Sequence, residues 1–308
     1  MRALRHLTAT VLVLAGLLAV GPALVSVWVH RDVLDTTRFS AAVAPLSGDR
    51  AVQAAVTDSS TRAIDAYLGG PAPNEPGSPA PLVNPVAEQV VTGPQFPGLW
   101  TAGIAAAHRQ AITQLRAGGT PTEVTFQLRP LLDAMVSRIV PGGQLPPGVP
   151  ALTGSVQIPL GAQAGRAAAA LRTADDVSGW LPALAAVLLG LAVAVSPWRP
   201  ATLAVGALGT AAVAGLVWLA GRAAPGALVD RLGVAANERV LARAVGVAVT
   251  RSLEVLARDV GLVASVVGVV ALGWAAVSGS RRRRRRPAPG ASGWGPEGLQ
   301  QMADRPGR

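Results

Sequence analysis

Four stretches of the chain carry no charged side chain for a membrane-spanning length, and they set the frame for everything else. They are Leu7 to Val29, Trp180 to Ser196, Ala201 to Ala220 and Val260 to Val277. At about 1.5 Å per helical residue, the first exceeds the roughly 30 Å hydrocarbon core of a bilayer, while the second and fourth just reach across it. Only Pro197 to Pro200 separates the second and third stretches, which predicts a tight antiparallel hairpin. Trp28, Trp180, Trp198, Trp218 and Trp274 fall at or near the predicted ends, where an indole ring favours the headgroup layer. A basic start followed by an apolar run also fits a cleavable signal peptide, but the run is long and no clear cleavage site follows, so the first span is read as an anchor.

Between spans the period of the pattern changes. In the segment 30–179, Asp35 or Thr36 is placed to cap a helix bearing Phe39, Val43 and Leu46, and Asp49 to cap a second running to about Leu68. Six prolines between Gly69 and Pro85 read as an irregular loop. A third helix, from about Pro97 to Arg116, presents Trp100, Ile104, Ala107, His108, Ala111, Ile112 and Leu115 on one stripe and stops at Gly118-Gly119. The period then drops to two in Glu123 to Leu128 and again in Ser155 to Leu160, with a short helical pattern from Leu131 to Val140 between them. That order predicts a small two-strand β-α-β unit, and an Ala-rich helix leads from it into the second span. The fold class expected is thus a membrane protein with four transmembrane helices and an extracytoplasmic α+β, mostly α, domain.

The second outer segment, 221–259, is amphipathic from about Glu238. Arg239, Arg243, Arg251, Glu254 and Arg258 occupy about 120° of a helical wheel, opposite Leu241, Val245, Val249 and Leu256. Its mixed charges favour packing under the outer domain over lying on lipid.

Charge decides the orientation. The chain has 27 basic residues, all arginine, 17 acidic residues and a formal net charge of +10. With residues 1–6, 197–200 and 278–308 placed inside, that side carries +9 and the outside +1. The positive-inside rule is met mainly by the run Arg281, Arg282, Arg283, Arg284, Arg285 and Arg286, directly after the last span. Both termini are therefore expected in the cytoplasm, with the protein in the plasma (inner) membrane and residues 278–308 forming a basic, disordered tail. The six arginines are expected to meet anionic lipid headgroups, each contributing on the order of 1 kcal/mol. Their position against a span argues against a nucleic-acid partner.

The chemistry-bearing residues are few. Cysteine is absent, which excludes disulfides and thiolate sites. His6, His30 and His108 share no metal-ligand spacing, and without lysine no phosphate-cradling loop of the Walker type can be completed. His108, on an apolar stripe, is expected to be a hydrogen-bonded packing residue, and Asp175-Asp176 a solvated pair at the membrane edge. No catalytic, cofactor or metal residue is therefore assigned. The spans hold hydroxyls but no ionisable group, which argues against a proton-coupled carrier. Small residues recur every fourth position, as in Ala15, Ala19 and Ala23; Ala186, Gly190 and Ala194; Ala207, Ala211 and Gly215; and Gly261 and Ser265. Such ridges allow close helix packing.

Val33-Leu34-Asp35-Thr36 with Arg38-Phe39, Val43-Ala44-Pro45-Leu46, Arg50-Ala51-Val52-Gln53, Trp100 with Ala107-His108-Arg109, and Val124 to Leu128 followed by Arg129-Pro130-Leu131 resemble stretches of uncharacterised actinobacterial integral membrane proteins. The resemblance covers mainly residues 28–160. It implies an inner-membrane protein with an extracytoplasmic domain after the first span and carries no site residue. The function expected is a non-enzymatic envelope role, sensing, scaffolding or binding an envelope protein or wall ligand. An oligomeric channel or transporter subunit is the alternative, and an envelope hydrolase or transferase the third.

Overall fold

The computed structural model describes residues 2–67, 78, 80–118, 123–127, 155–159, 164–232 and 236–284. Helix α1, Arg2–Trp28, runs on through a five-residue π-helical turn, Val29–Val33. Helices α2 (Thr36–Val43) and α3 (Arg50–Tyr67) start where the sequence marks their caps. The Asp35 carboxylate accepts the Arg38 N–H, and Asp49 accepts those of Ala51 and Val52. Each cap satisfies amides that the first turn of a helix leaves free.

Helix α4, Ala80–Val91, begins inside the proline-rich segment that was expected to be irregular. Pro81 lies in its first turn, where no intrahelical N–H is needed. Val83, Ala87, Val90 and Val91 supply a buried face at helical spacing, which outweighs the interruption at Pro85. Helix α5, Phe96–Arg116, ends at Gly118, whose positive φ of 79° is the left-handed conformation that glycine tolerates.

The expected α+β class is not what the chain adopts. Its described residues are overwhelmingly helical and contain no β-α-β unit. Strands β1 (Glu123–Gln127) and β2 (Ser155–Pro159) form an isolated antiparallel pair, with Val124 opposite Ile158. Antiparallel strands need no helical crossover, so alternation alone misled the topology. The helix expected at 131–140 and residues 285–308 of the expected tail lie outside the described residues, whereas 278–284, expected to be part of that disordered tail, are helical and continue the last span.

Helices α6 (Ala164–Ser178), α7 (Leu181–Val195), α8 (Arg199–Leu232) and α9 (Ala236–Arg284) complete the chain. Among the described residues three helices are long and apolar enough to cross a membrane: Ala3–Val33, Arg199–Gly226 and Arg239–Ser278. There are four if α6 and α7, bent 54° at their junction, count as one broken span. This is the build of a multi-pass membrane protein. Helix α7 alone has 15 residues, about 22 Å, which falls short of a full hydrocarbon core.

Leucines seated on glycines hold the bundle together. A Cβ built on Gly16 would stand 2.8 Å from Leu189 Cγ; one on Gly209, 2.6 Å from Leu17 Cδ1; one on Gly268, 2.9 Å from Leu208 Cγ. These contacts join α1 to α7, α1 to α8 and α8 to α9. Gly21 meets Val213 four residues on from the Leu17–Gly209 contact, so α1 and α8 run parallel, whereas Gly261 against Ala214 and Gly246 against Pro225 make α9 antiparallel to α8. The ridge of Ala186, Gly190 and Ala194 faces outward instead.

Among the described residues three apolar clusters are buried: one, Val29, Leu34, Leu115 and Ala168, lies at the end of α1, and the other two are joined by the long helices. Val20, Leu24, Ala185 and Ala214 form the bundle core, with Leu256 and Val260 against them. Val43, Val52, Ala87, Val90, Val91, Phe96, Trp100 and Ile104 form the domain core, and Leu241, Ala244, Val245, Ala248 and Val249 of α9 pack on it. The apolar side of the amphipathic segment is thus buried in the domain, as its pattern indicates. Helix α9 has 49 residues, so one element about 73 Å long belongs to both cores.

Candidate functional site

The polar residues of interest converge where α1 leaves the bundle. The π-helical turn at Val29–Val33 ends a long helix, whose last carbonyls have no intrahelical donor. His108 of α5 supplies one. Its Nε2 lies 2.8 Å from the Val33 carbonyl, which can only accept, so Nε2 carries the proton. Nδ1 is then the acceptor for the Thr36 hydroxyl at 3.0 Å. The ring also stacks on Phe39, centroids 4.2 Å apart and planes 19° apart. With both nitrogens engaged, His108 is a clamp between α5 and the start of the domain, and offers no free base.

Burial holds the His108 imidazole below its ordinary value of 6.5, while the Val33 hydrogen bond and the Asp35 charge oppose that shift. A histidine that protonates less readily when folded contributes stability that is complete above the unfolded value and is lost as pH falls below it. The thermal midpoint should therefore be flat above neutral pH and drop as pH falls below 6.5 towards the lowered folded value. A His108→Gln variant should lose that part of the acid sensitivity. Identical pH slopes in the two proteins would show that His108 does not set it.

Other clamps surround the junction. The Trp28 indole donates to the Ser252 hydroxyl at 2.9 Å, tying α1 to α9. The Arg172 guanidinium of α6 donates to the Leu115 carbonyl at 3.0 Å, capping α5. Inside the domain, the Trp100 indole donates to the Val43 carbonyl at 3.0 Å and closes the end of α2.

His30 and Asp175, weighed separately in the sequence, meet here. His30 Nδ1 lies 2.6 Å from Asp175 Oδ1, which links the end of α1 to α6. Beside this pair is an open groove of about 390 Å³ lined by Val27, His30, Arg31, Asp35, Arg38 and Ser178. Arg38 reaches Asp32 at 3.4 Å, and the Ser178 hydroxyl donates to the Asp175 carbonyl at 2.7 Å. The Ser178 hydroxyl is thus committed to backbone and His30 Nδ1 to Asp175, so the three residues do not form a nucleophile relay. His6 lies exposed near the opposite end of α1. Among the described residues no three His, Cys, Asp or Glu side chains are grouped as metal ligands.

Most hydroxyls within the bundle are turned onto their own helices, while Thr202 donates to the Ser196 hydroxyl at 2.6 Å. Thr8 donates to Leu4, Thr10 to His6, Thr210 to Gly206 and Ser265 to Gly261, each to a backbone carbonyl one turn back. Such bonds leave no row of free hydroxyls to line a polar path.

No family model, curated protein or solved structure matches the chain, so the site rests on its own geometry.

Proposed function

We propose that the chain is a non-enzymatic envelope protein whose extracytoplasmic helical domain binds a protein or wall ligand and transmits that binding across the plasma membrane. The observation that carries this reading is α9. Its first third is part of the domain core, its middle part of the bundle core, and its end reaches the arginine run. A displacement of the domain core is therefore applied directly to the helix that crosses the bilayer. The charge distribution supports the orientation with domain outside and arginines in the cytoplasm. A non-enzymatic role agrees with His108 having both ring nitrogens committed, and the self-bonded hydroxyls of the bundle argue against a solute path through one copy.

Site-specific photo-crosslinking in native membranes tests the proposal. A photoreactive residue at exposed Asp58 or Ala102 should capture a discrete adduct that is absent when the same residue replaces lipid-facing Leu272. Equal background labelling at all three positions would count against ligand binding by the domain. Solute flux through the reconstituted protein would favour the channel reading instead.

A further inference from the structure

The groove at the end of α1 lies at a depth that the helix pairings define. Val20 and Leu24 pack with Leu256 and Val260, and Trp28 is bonded to Ser252, so the α9 stretch Glu254 to Asp259 stands alongside Gly21 to Ser26. The Arg258 and Asp259 side chains are 65% and 59% exposed and lie 3.5 Å apart, which marks where this face of the bundle becomes polar. Trp180, 54% exposed at the start of α7, stands at the same end of the bundle. The apolar band therefore ends near Leu24, and Val27 to Arg31 sit about 5–10 Å beyond it at 1.5 Å per residue. Val27 to Arg31 thus begin within the headgroup layer, roughly 5–8 Å thick on each side of the hydrocarbon, and reach its outer edge.

The lining has the composition that such a depth calls for. Val27 gives the membrane-facing rim an apolar side chain, and Arg31 and Arg38 bring two guanidinium groups to the same cavity. Arg31 makes no ion pair or hydrogen bond among the described residues, and Arg38 holds Asp32 only at 3.4 Å. His30 is fixed through Nδ1 by Asp175, so hydrogen-bonding capacity remains at Nε2. Asp35 is engaged as the cap of α2. Planar guanidinium groups bind phosphate oxygens bidentately, which suits a phosphodiester better than a single point charge would.

We propose that this groove holds the phosphodiester of a membrane phospholipid, bound by Arg31 and Arg38 with His30 positioned by Asp175. The site is distinct from the arginine run, which lies at the far end of α9, and it anchors the exit of α1 to the lipid surface beneath the domain.

Native mass spectrometry of the full-length protein released from detergent, titrated with phosphatidylethanolamine, tests the assignment. Wild type should retain one lipid more tightly than the rest. Arg31→Gln and Arg38→Gln should each weaken that step by roughly fivefold. Arg251→Gln, an exposed arginine on α9 outside the groove, should leave it unchanged. Arg31 is exposed and unpaired, so its variant should keep the wild-type helicity and thermal midpoint without lipid; if Arg38→Gln fails to fold, Arg31→Gln decides alone. Lipid retention by Arg31→Gln equal to wild type would overturn the proposal. So would inorganic phosphate competing at the concentration of the lipid, which would make the groove a site for free anion.

Discussion

Trp100→Ala should cost the helical domain about 3–5 kcal/mol, the usual range for removing a large buried aromatic side chain. The residue is 4% exposed, packs at the centre of the domain core and tilts against Phe96 with ring centroids 6.1 Å apart. Two losses combine in alanine: the cavity, and the donor for the Val43 carbonyl. Trp100→Phe keeps much of the volume but leaves that carbonyl without its indole partner, a loss of about 1–3 kcal/mol. Thermal unfolding in nanodiscs, followed by helical circular dichroism, should rank wild type above Trp100→Phe and Trp100→Ala last. A Trp100→Phe midpoint equal to that of wild type would show that the hydrogen bond contributes nothing, and equal midpoints for the two variants would show that the cavity adds nothing to its loss.

The second large effect lies in the bundle. Gly16→Ala and Gly268→Ala should each destabilise by about 1–3 kcal/mol through overpacking. In both, the added methyl meets a leucine Cγ under 3.0 Å away, with the same leucine's backbone N at 3.4 Å, so the neighbour has little room to retreat. Gly209→Ala should cost less, because it meets the ends of the Leu17 side chain first, with Cγ at 3.3 Å. Gly190→Ala and Gly215→Ala meet nothing within 4 Å and should be neutral or, through helix propensity, stabilising by up to about 1 kcal/mol. Detergent-induced unfolding of the variants reads this order. Rescue of Gly16→Ala by Leu189→Ala would tie the effect to that contact, with a coupling of about 0.5–3 kcal/mol between the sites. A Gly190→Ala loss as large as that of Gly16→Ala would contradict the packing.

These glycines show where the sequence stops being readable. In a helix that is apolar on all sides, spacing identifies a ridge but not the direction it faces. The four-residue period accordingly selects Ala186, Gly190 and Ala194, which point outward, and passes over Gly16, Gly209 and Gly268. Where one face is polar, the pattern does carry direction. Leu241, Val245 and Val249 are opposite the arginines in the wheel and lie against the domain core in the fold.

Local chemistry is legible in the same way. Asp35, Asp49 and Gly118 mark helix ends because capping acts over three or four residues. Helix α4 was hidden because six prolines suggest an irregular loop, although Val83, Ala87, Val90 and Val91 repeat at helical spacing. The strands illustrate another limit, since alternation identifies an extended segment but says nothing about the direction of its partner. The His30–Asp175 pair spans 145 positions, and no local pattern reports it. The groove beside it likewise brings Ser178 to side chains from Val27 to Arg38.

Helix α9 is one unbroken element connecting the domain core to the far end of the bundle. Because the chain has no cysteine, a pair of spin labels can be introduced without removing anything. Val247→Cys and Leu272→Cys are both exposed, the first where α9 runs beside the domain and the second within the span. The separation along an unbroken helix is about 38 Å at 1.5 Å per residue. Double electron–electron resonance in nanodiscs should give one narrow distribution near that distance. A broad or two-peaked distribution, or one centred well below it, would mean that the helix breaks between domain and membrane, and would contradict the account.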